Sequence, residues 1–587
     1  MTDENKLPYA FYSVAEARLE RLYGPEQTPE VMKMLSDLIN DYCSSDDAPK
    51  PQEKWTEKDT ILITYGGSIV DEAETHHLKT LHKFLSRYLR GVVNTVHILP
   101  FFPFSSDDGF SVIDYFTVDP ALGDWEDIHA LCTEFNLMID FVVNHVSRES
   151  LWFVEYLNNK SPGRDFFIEV SPDEDLSRVV RPRPHDLAVP VHTHRGLKHL
   201  WATFSEDQID LNFRNPVVLL TFIKIMLEYI RHGARFIRLD AIAFLWKQIG
   251  TSCIHLSGTH EVVKLFRDIV DLVAPEVVLI TETNVPNGEN ISYFGNSDEA
   301  HMVYQFSLPP MLLHALFRGD AEHLTQWALD YPRPPKGCTY LNFTASHDGV
   351  GLRPLEGILA DEEIDNLVSS MRQYGGYVSM RKAADGHEVP YEINITYFDA
   401  LKGTALGIDQ WQIPRFICSQ TVCLTIQGIP ALYIHSLLAT PNDTHGVEQT
   451  GRTRSINRSS LDYEEITSLL ESPEIPHAIV FSELKRRIKI RGKQIAFHPE
   501  SDQKTVDLGH SFFAVWRFCD RQKILAIHNV TSQFQTVLLP KERPTHKKVT
   551  GWTDLLQDKY YSSSIREISL KPYQSVWLEL QESHLRY

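Results

Sequence analysis

Short apolar runs alternating with longer amphipathic stretches predict an α/β chain: a (β/α)8 TIM barrel carrying two inserted subdomains and followed by a C-terminal antiparallel β domain. Three observations carry this. The runs are Ile61 to Tyr65, Thr95 to Leu99, Leu137 to Val143, Ala234 to Asp240, Val277 to Thr283, Met302 to Phe306, Tyr340 to Thr344 and Ile429 to Ile434, apolar and β-branched as covered strands are. Two connections are too long for one helix: residues 145–215 after the third run, rich in Pro, Arg and Asp, and residues 349–412 after the seventh. Both leave from C-terminal strand ends, the face where such barrels carry chemistry. From about residue 491 the pattern changes to alternating runs, Ser511 to Arg517, Lys523 to His528, Thr536 to Leu539 and Ser575 to Leu580, which reads as the β domain, 491–587.

The barrel is thus expected to comprise residues 57–144, 216–348 and 413–490. Ahead of it, Ala15 to Leu22 and Pro29 to Ile39 carry apolar residues at helical spacing, and the polar stretch Ser44 to Glu57, with Pro49 and Pro51, reads as a linker; residues 1–56 are a helical extension. At 587 residues the chain is long enough for several compact units, and 43% hydrophobic with 23% charged residues is an ordinary globular composition. A formal charge of −21 argues against a nucleic-acid partner. No apolar run approaches the roughly 20 residues that span a bilayer, and the polar start is not a secretory signal, so no membrane partner and a cytoplasmic location are expected. Seven cysteines without a C-x-x-C pair indicate reduced thiols and no zinc site.

Polar residues collect where the runs end. The fourth ends Arg238-Leu239-Asp240, and residues two apart on a strand share a face. A guanidinium beside an aspartate keeps it ionised and aimed, as a carboxylate nucleophile requires, although the same pair also serves as a plain structural ion pair. The third run ends Asp140-Phe-Val-Val-Asn144-His145, the fifth contains Glu282, and the seventh leads into His347-Asp348. One acid at a strand end is commonly a helix cap. Three at the same end of one barrel suit glycosidic bond cleavage, in which one carboxylate attacks the anomeric carbon, a protonated one serves the leaving oxygen and a third stabilises positive charge.

Taken together and in this order, these four motifs resemble the signature regions of the α-amylase-type glycoside hydrolase family, over roughly residues 57–587. The resemblance implies Asp240 as nucleophile, Glu282 as general acid/base and Asp348 as transition-state stabiliser, with Arg238 holding Asp240 and with His145 and His347 on glucosyl hydroxyls. Further stretches, Leu99 to Phe110, Arg181-Pro-Arg-Pro184, Trp201 to Leu211, Gly250 to Cys253 and Ile456-Asn-Arg458, are similar to the sucrose phosphorylase subgroup. That changes the expected acceptor from water to phosphate. Arg183 matches a phosphate-contacting arginine; read without the resemblance, Arg181 and Arg183 pair with surface acids. Asp107 and Arg458 match residues gripping the far hydroxyls of glucose, Phe110 and Phe204 would form walls, and Gln208 is an acceptor-side candidate. The subgroup works without metal, so no cofactor is expected, although Asn144 matches a calcium ligand of amylases; a monomer or homodimer is expected.

Sucrose phosphorylases carry an Asp and a Gln where this chain has Val389-Pro390-Tyr391-Glu392, which argues against sucrose. Pro390 to Tyr397, Ser346 to Gly357 and Thr281 to Pro286 look instead like the branch acting on glucosylglycerol and glucosylglycerate, with Tyr391 and Glu392 at the substrate site. Glycerate, an anion, calls for one more cation than phosphate alone, with Arg353 and Arg195 as candidates. The acidic composition suits a cell that stores neutral solutes, so phosphorolysis of glucosylglycerol is the expected reaction and glucosylglycerate the alternative. Sucrose and sucrose 6-phosphate phosphorolysis, an α-glucosidase and a non-catalytic barrel are more distant readings.

Overall fold

A computed structural model describes residues 7–44, 53–183, 185–382, 388–540 and 547–584. Eight parallel strands close a barrel in sequential order: β1 Ile61–Thr64, β2 Thr95–Ile98, β3 Asn136–Val142, β4 Ala234–Asp240, β5 Val278–Thr281, β6 Met302–Tyr304, β7 Thr339–Phe343 and β8 Ile429–Tyr433, with β8 returning to β1. Each predicted run supplies one strand, because runs buried on both faces have only a parallel, helix-covered sheet to enter. Register places Asp140 opposite Arg238 and Val142 opposite Asp240, so the polar ends of β3 and β4 lie side by side.

Local sequence sets where each crossover turns. Asp124 caps helix Trp125–Cys132 by accepting from the Glu126 and Asp127 amides, and Asn215, followed by Pro216, starts helix Pro216–Arg231. Between β3 and that helix, the strand His145–Ser147 pairs antiparallel with Gln208–Asp210, which ties the two ends of the first insertion together above the barrel. Its middle is a hairpin, Ala188–Thr193 with Gly196–Trp201. The second insertion holds helix Asp361–Gln373 and a three-stranded sheet in which Glu388–Asn394 lies between Val350–Gly351 and Tyr377–Lys382. That strand passes so close to the chain after Asp348 that a Cβ on Gly349 would sit 2.5 Å from the Ile393 carbonyl.

The C-terminal sheet has six antiparallel strands, and Asp502–Thr505, Phe512–Cys519, Gln522–Asn529 and Ser575–His584 run consecutively through it. Two fully buried arginines seam it to the barrel: Arg491 donates to the Leu424, Gly428 and Phe497 carbonyls, Arg517 to those of Thr425 and His498. All seven cysteines are unpaired. No described helix is long and apolar enough to cross a membrane.

The N-terminal extension forms helices α1, Tyr9–Tyr23, and α2, Thr28–Cys43, on the outside of the barrel. α1 lies on helix Ser257–Val273 and α2 on helix Pro216–Arg231, burying Ala15, Leu19, Leu35 and Ile39. Of the expected linker, residues 45–52 lie outside the described residues; beyond them Trp55 is buried, and its indole donates to Glu500 at 3.2 Å. Arg18 is a buried cation on α1 that hydrogen-bonds Asp268 and lies 3.6 Å from Glu261 and 3.7 Å from Asp298. Removing it takes the hydrogen-bonded cation from Asp268 and one of two or more neighbouring cations from Glu261 and Asp298, which keep Arg21 and Lys264. Arg18→Ala is expected to lower unfolding free energy by roughly 1–3 kcal/mol in a thermal or urea melt while turnover of the folded protein changes less than about twofold.

Candidate active site

Arg238 is buried at the end of β4 and carries most of the local electrostatics. Its Nη1 donates to Asp240 Oδ1 at 2.7 Å and also to Asp140, and its Nη2 lies 3.9 Å from Glu282 Oε2. Asp140 is held from the other side by His97 Nε2 at 2.7 Å. Burial works against the Asp140 charge, yet Arg238 and His97 outweigh it and bring its pKa down to about 2. Arg238 therefore does not face Asp240 alone, as the pair read from sequence would have it. With its charge divided, burial lifts Asp240 above the ordinary aspartate range, and the neighbouring Glu282, Asp140 and Asp348 add to the rise.

Glu282 stands one residue beyond β5 and is lifted as well, mainly by burial. Its Oε2 accepts from the Ala241 amide at 3.0 Å. Ala241 has a left-handed φ of 50°, a conformation costing a Cβ-bearing residue roughly 1–2 kcal/mol, and the twist immediately follows Asp240. Two close, buried carboxyls disfavour double ionisation, so the pair tends to keep one proton. Burial lifts Asp240 the further of the two, while the hydrogen bonds favour charge on Asp240, which receives the short guanidinium bond where Glu282 receives an amide.

Asp348 has the opposite environment. Burial would raise its pKa, but Arg454 Nη1 at 2.6 Å, with Arg458 at 3.7 Å, holds it far below the usual range. Arg454 also grips buried Glu392 through both oxygens, at 3.0 and 2.7 Å, so one guanidinium joins the strand of the second insertion to the acid after β7. His347 stacks on Phe110 with centroids 4.8 Å apart, and burial keeps it neutral. His145 is likewise neutral: Nε2 donates to the Phe110 carbonyl at 2.9 Å, and its ring leans on Phe204 at 5.2 Å.

These groups enclose a recess of about 90 Å³ at the C-terminal mouth of the barrel. Asp107, Phe110, Phe204, Gln208, Arg183, Tyr391 and Glu392 complete its lining. Gln208 Nε2 donates to Asp107 Oδ2 at 3.3 Å. Through Arg183, Phe204, Glu282, Asn284 and Tyr391 the recess shares a wall with a larger cavity of about 560 Å³, whose lining includes Arg353 and Arg381. Arg183 lies over the Tyr391 ring at 5.9 Å and pairs with no acid among the described residues. Arg458, expected to grip a sugar hydroxyl, stands behind the recess: Nε donates to the His347 carbonyl at 2.8 Å, Nη1 to Asp108 at 2.6 Å, and Nη2 lies 3.7 Å from the recess acid Asp348. Arg195 is also elsewhere, paired with Glu169 at 2.6 Å. Pro184 of the Arg181-to-Pro184 stretch lies outside the described residues. Asn144 donates to Asp210 and accepts from the buried Lys247 ammonium at 2.5 Å, and that ammonium also meets Asp210, so a side-chain cation occupies the junction between β3 and the first insertion.

The family model for the α-amylase catalytic domain matches residues 84–329. A glucosylglycerate phosphorylase of Allomeiothermus silvanus is 43% identical over 95% of this chain and 96% of its own. A glucosylglycerol phosphorylase of Marinobacter adhaerens is 31% identical over 68% of this chain and 82% of its own. The chain belongs to the α-amylase family, in its sucrose phosphorylase subgroup. The fold agrees: the crystal structure of a sucrose 6F-phosphate phosphorylase from Thermoanaerobacter thermosaccharolyticum superposes with a TM-score of 0.72 at 24% identity, covering 89% of this chain and all of the other.

Sequence reasoning missed Arg454, Asn284 and Asp108. Arg454 was within reach, since it precedes Arg458 by one helical turn in Arg454-Ser-Ile-Asn-Arg458, but nothing local says it faces two acids from other elements. Asp107 and Asp108 both have left-handed φ, 54° and 51°, and only the folded loop shows Asp108 clamped by Arg452 and Arg458. Arg454→Met is expected to reduce kcat/KM by about 100-fold or more, since Asp348 and Glu392 lose their shared cation. The depressed pKa of Asp348 contributes stability above its unfolded value and loses it as pH falls through the folded one. Without Arg454 that contribution is lost, so melts of Arg454→Met should show a lower stability near pH 7 and a shallower fall below about pH 5 than the wild type.

Proposed function

We propose that this protein is a configuration-retaining α-glucoside phosphorylase acting on 2-O-α-D-glucosyl-D-glycerate, with α-D-glucose 1-phosphate and D-glycerate as products. The observation carrying this reading is a recess holding three carboxyls with opposed proton affinities beside a cavity lined by arginines. Asp240 attacks the anomeric carbon while Glu282 gives its proton to the departing glycerate oxygen, leaving a glucosyl ester on Asp240. Asp348, kept ionised by Arg454, stabilises the oxocarbenium-like charge. Phosphate then enters beside Arg183, Glu282 takes back a proton from it, and attack from the face the glycerate left restores the α configuration.

The composition-based expectation of glucosylglycerol gives way to glycerate. Relatives named for glycerate reach 43% identity over nearly the whole chain, against 31% over two-thirds for one named for glycerol. Charge in the larger cavity supports the same choice, since overall acidity says nothing about a local cluster of arginines. The product is a doubly charged phosphate ester, which fits a cytoplasmic enzyme.

The acceptor panel tests the reading: with α-glucose 1-phosphate as donor, D-glycerate should release phosphate at least about tenfold faster than glycerol, fructose or glucose at equal concentration. Free glucose as the main product in saturating phosphate would make it a glucosidase. Arg183→Ala should lose phosphorolysis by roughly 10- to 100-fold while the slower hydrolysis of the same donor persists, and equal losses would remove Arg183 from phosphate binding. Since Glu282 is needed protonated and its pKa is raised, activity should fall on the alkaline side as pH passes through that value. In Glu282→Gln assayed with α-glucosyl fluoride, whose leaving group needs no proton, that fall should vanish from the pH profile.

A further inference from the structure

The larger cavity must serve two different anions if the reading above holds: the phosphate that enters and the glycerate that leaves. Its lining cations are not equivalent. Arg178 is exposed at the rim, Arg181 is bound to the His185 carbonyl, and Arg381 pairs with Glu356 at 2.7 Å. Arg183 reaches the wall shared with the recess and so stands next to Glu282 and the anomeric position beside Asp240. Arg353 lines the larger cavity only. It has no carboxylate partner among the described residues, and its Nε is buried without an acceptor.

The backbone around Arg353 is fixed by residues that border both spaces. The Leu352 amide donates to the Tyr391 carbonyl at 2.9 Å, and a Cβ on Gly351 would sit 2.7 Å from Asn284 Nδ2. The guanidinium is thus presented from a rigid turn, five residues after Asp348, where no side chain neutralises it. A partly desolvated guanidinium with spare donors favours a planar anion that accepts two hydrogen bonds, and disfavours a neutral ligand that leaves it unpaired.

We propose that Arg353 binds the carboxylate of glycerate, leaving Arg183 for phosphate, so that the acceptor region contains two separate anion subsites. This assignment rests on the glucosylglycerate reading. Phosphate has to place an oxygen on the anomeric carbon and therefore takes the cation nearer the recess. Glycerate reacts through its hydroxyl and turns its carboxylate outward to the cation farther off. Selection of glycerate over glycerol then resides in one residue outside the catalytic recess.

The test measures initial rates of phosphate release from α-glucose 1-phosphate with D-glycerate, D-glyceramide or glycerol as acceptor, in the wild type, Arg353→Gln and Arg353→Lys. Arg353→Gln should raise KM for D-glycerate roughly 10- to 100-fold and leave glycerol and D-glyceramide within about threefold. Arg353→Lys should recover part of the loss. Hydrolysis of the donor without acceptor should stay near wild type, which also reports that the variant is folded. If Arg353→Gln does not fold, the wild type alone decides: it should prefer D-glycerate to D-glyceramide by a similar factor, and equal use overturns the carboxylate subsite. A wild type that uses D-glycerate, with Arg353→Gln using it equally well or losing all acceptors equally, overturns the inference alone. A wild type that ignores D-glycerate overturns the glucosylglycerate reading and this assignment with it.

Discussion

Arg238 is one fixed cation facing Asp140, Asp240 and, at longer range, Glu282, and its charge is not enough for all of them. That shortage sorts the acids. Asp140, with His97 behind it, stays ionised; Asp240 takes the next short hydrogen bond; Glu282 is left with an amide and the far edge of the same guanidinium. A second cation, Arg454, removes Asp348 from the competition. Buried carboxyls close together acquire different proton affinities from how two guanidiniums are shared among them.

The fold exists to hold that sharing still. β3 and β4 bring Asp140 and Arg238 into register as hydrogen-bonded neighbours, and β5 and β7 deliver Glu282 and Asp348 from the same end of the barrel. The left-handed Ala241 aims an amide at Glu282, while Gly349 lets the second insertion pass close enough for Glu392 to reach Arg454. Two of these positions are locally unfavourable or intolerant of a side chain, and they flank the two acids with the most divergent proton affinities.

The two insertions turn a general sugar-cleaving mouth into a particular one. The first contributes Arg183, Phe204 and Gln208, the second Arg353, Tyr391 and Glu392. At this level bulk composition and the cavity wall differ: the net charge is −21, whereas the cavity wall carries a local excess of arginine. Net charge averages over a surface, and a ligand meets only the few groups within a Debye length.

The barrel strands, the strand-end acids and the family were readable from residue order, because parallel strands demand continuous apolar runs and the catalytic motifs are short and local. Apolar spacing likewise marked α1 and α2, though not the Arg18 contacts that dock α1. Residue order did not reveal that Arg238 is divided among three acids, that Arg454 joins Asp348 to Glu392, or that Arg458 is clamped to Asp108. Those facts depend on which guanidinium, on a long and flexible stem, meets which carboxylate once segments as far apart as residues 108 and 458 are brought together. Pairings of that kind are settled by distance and burial, and only the folded chain supplies either.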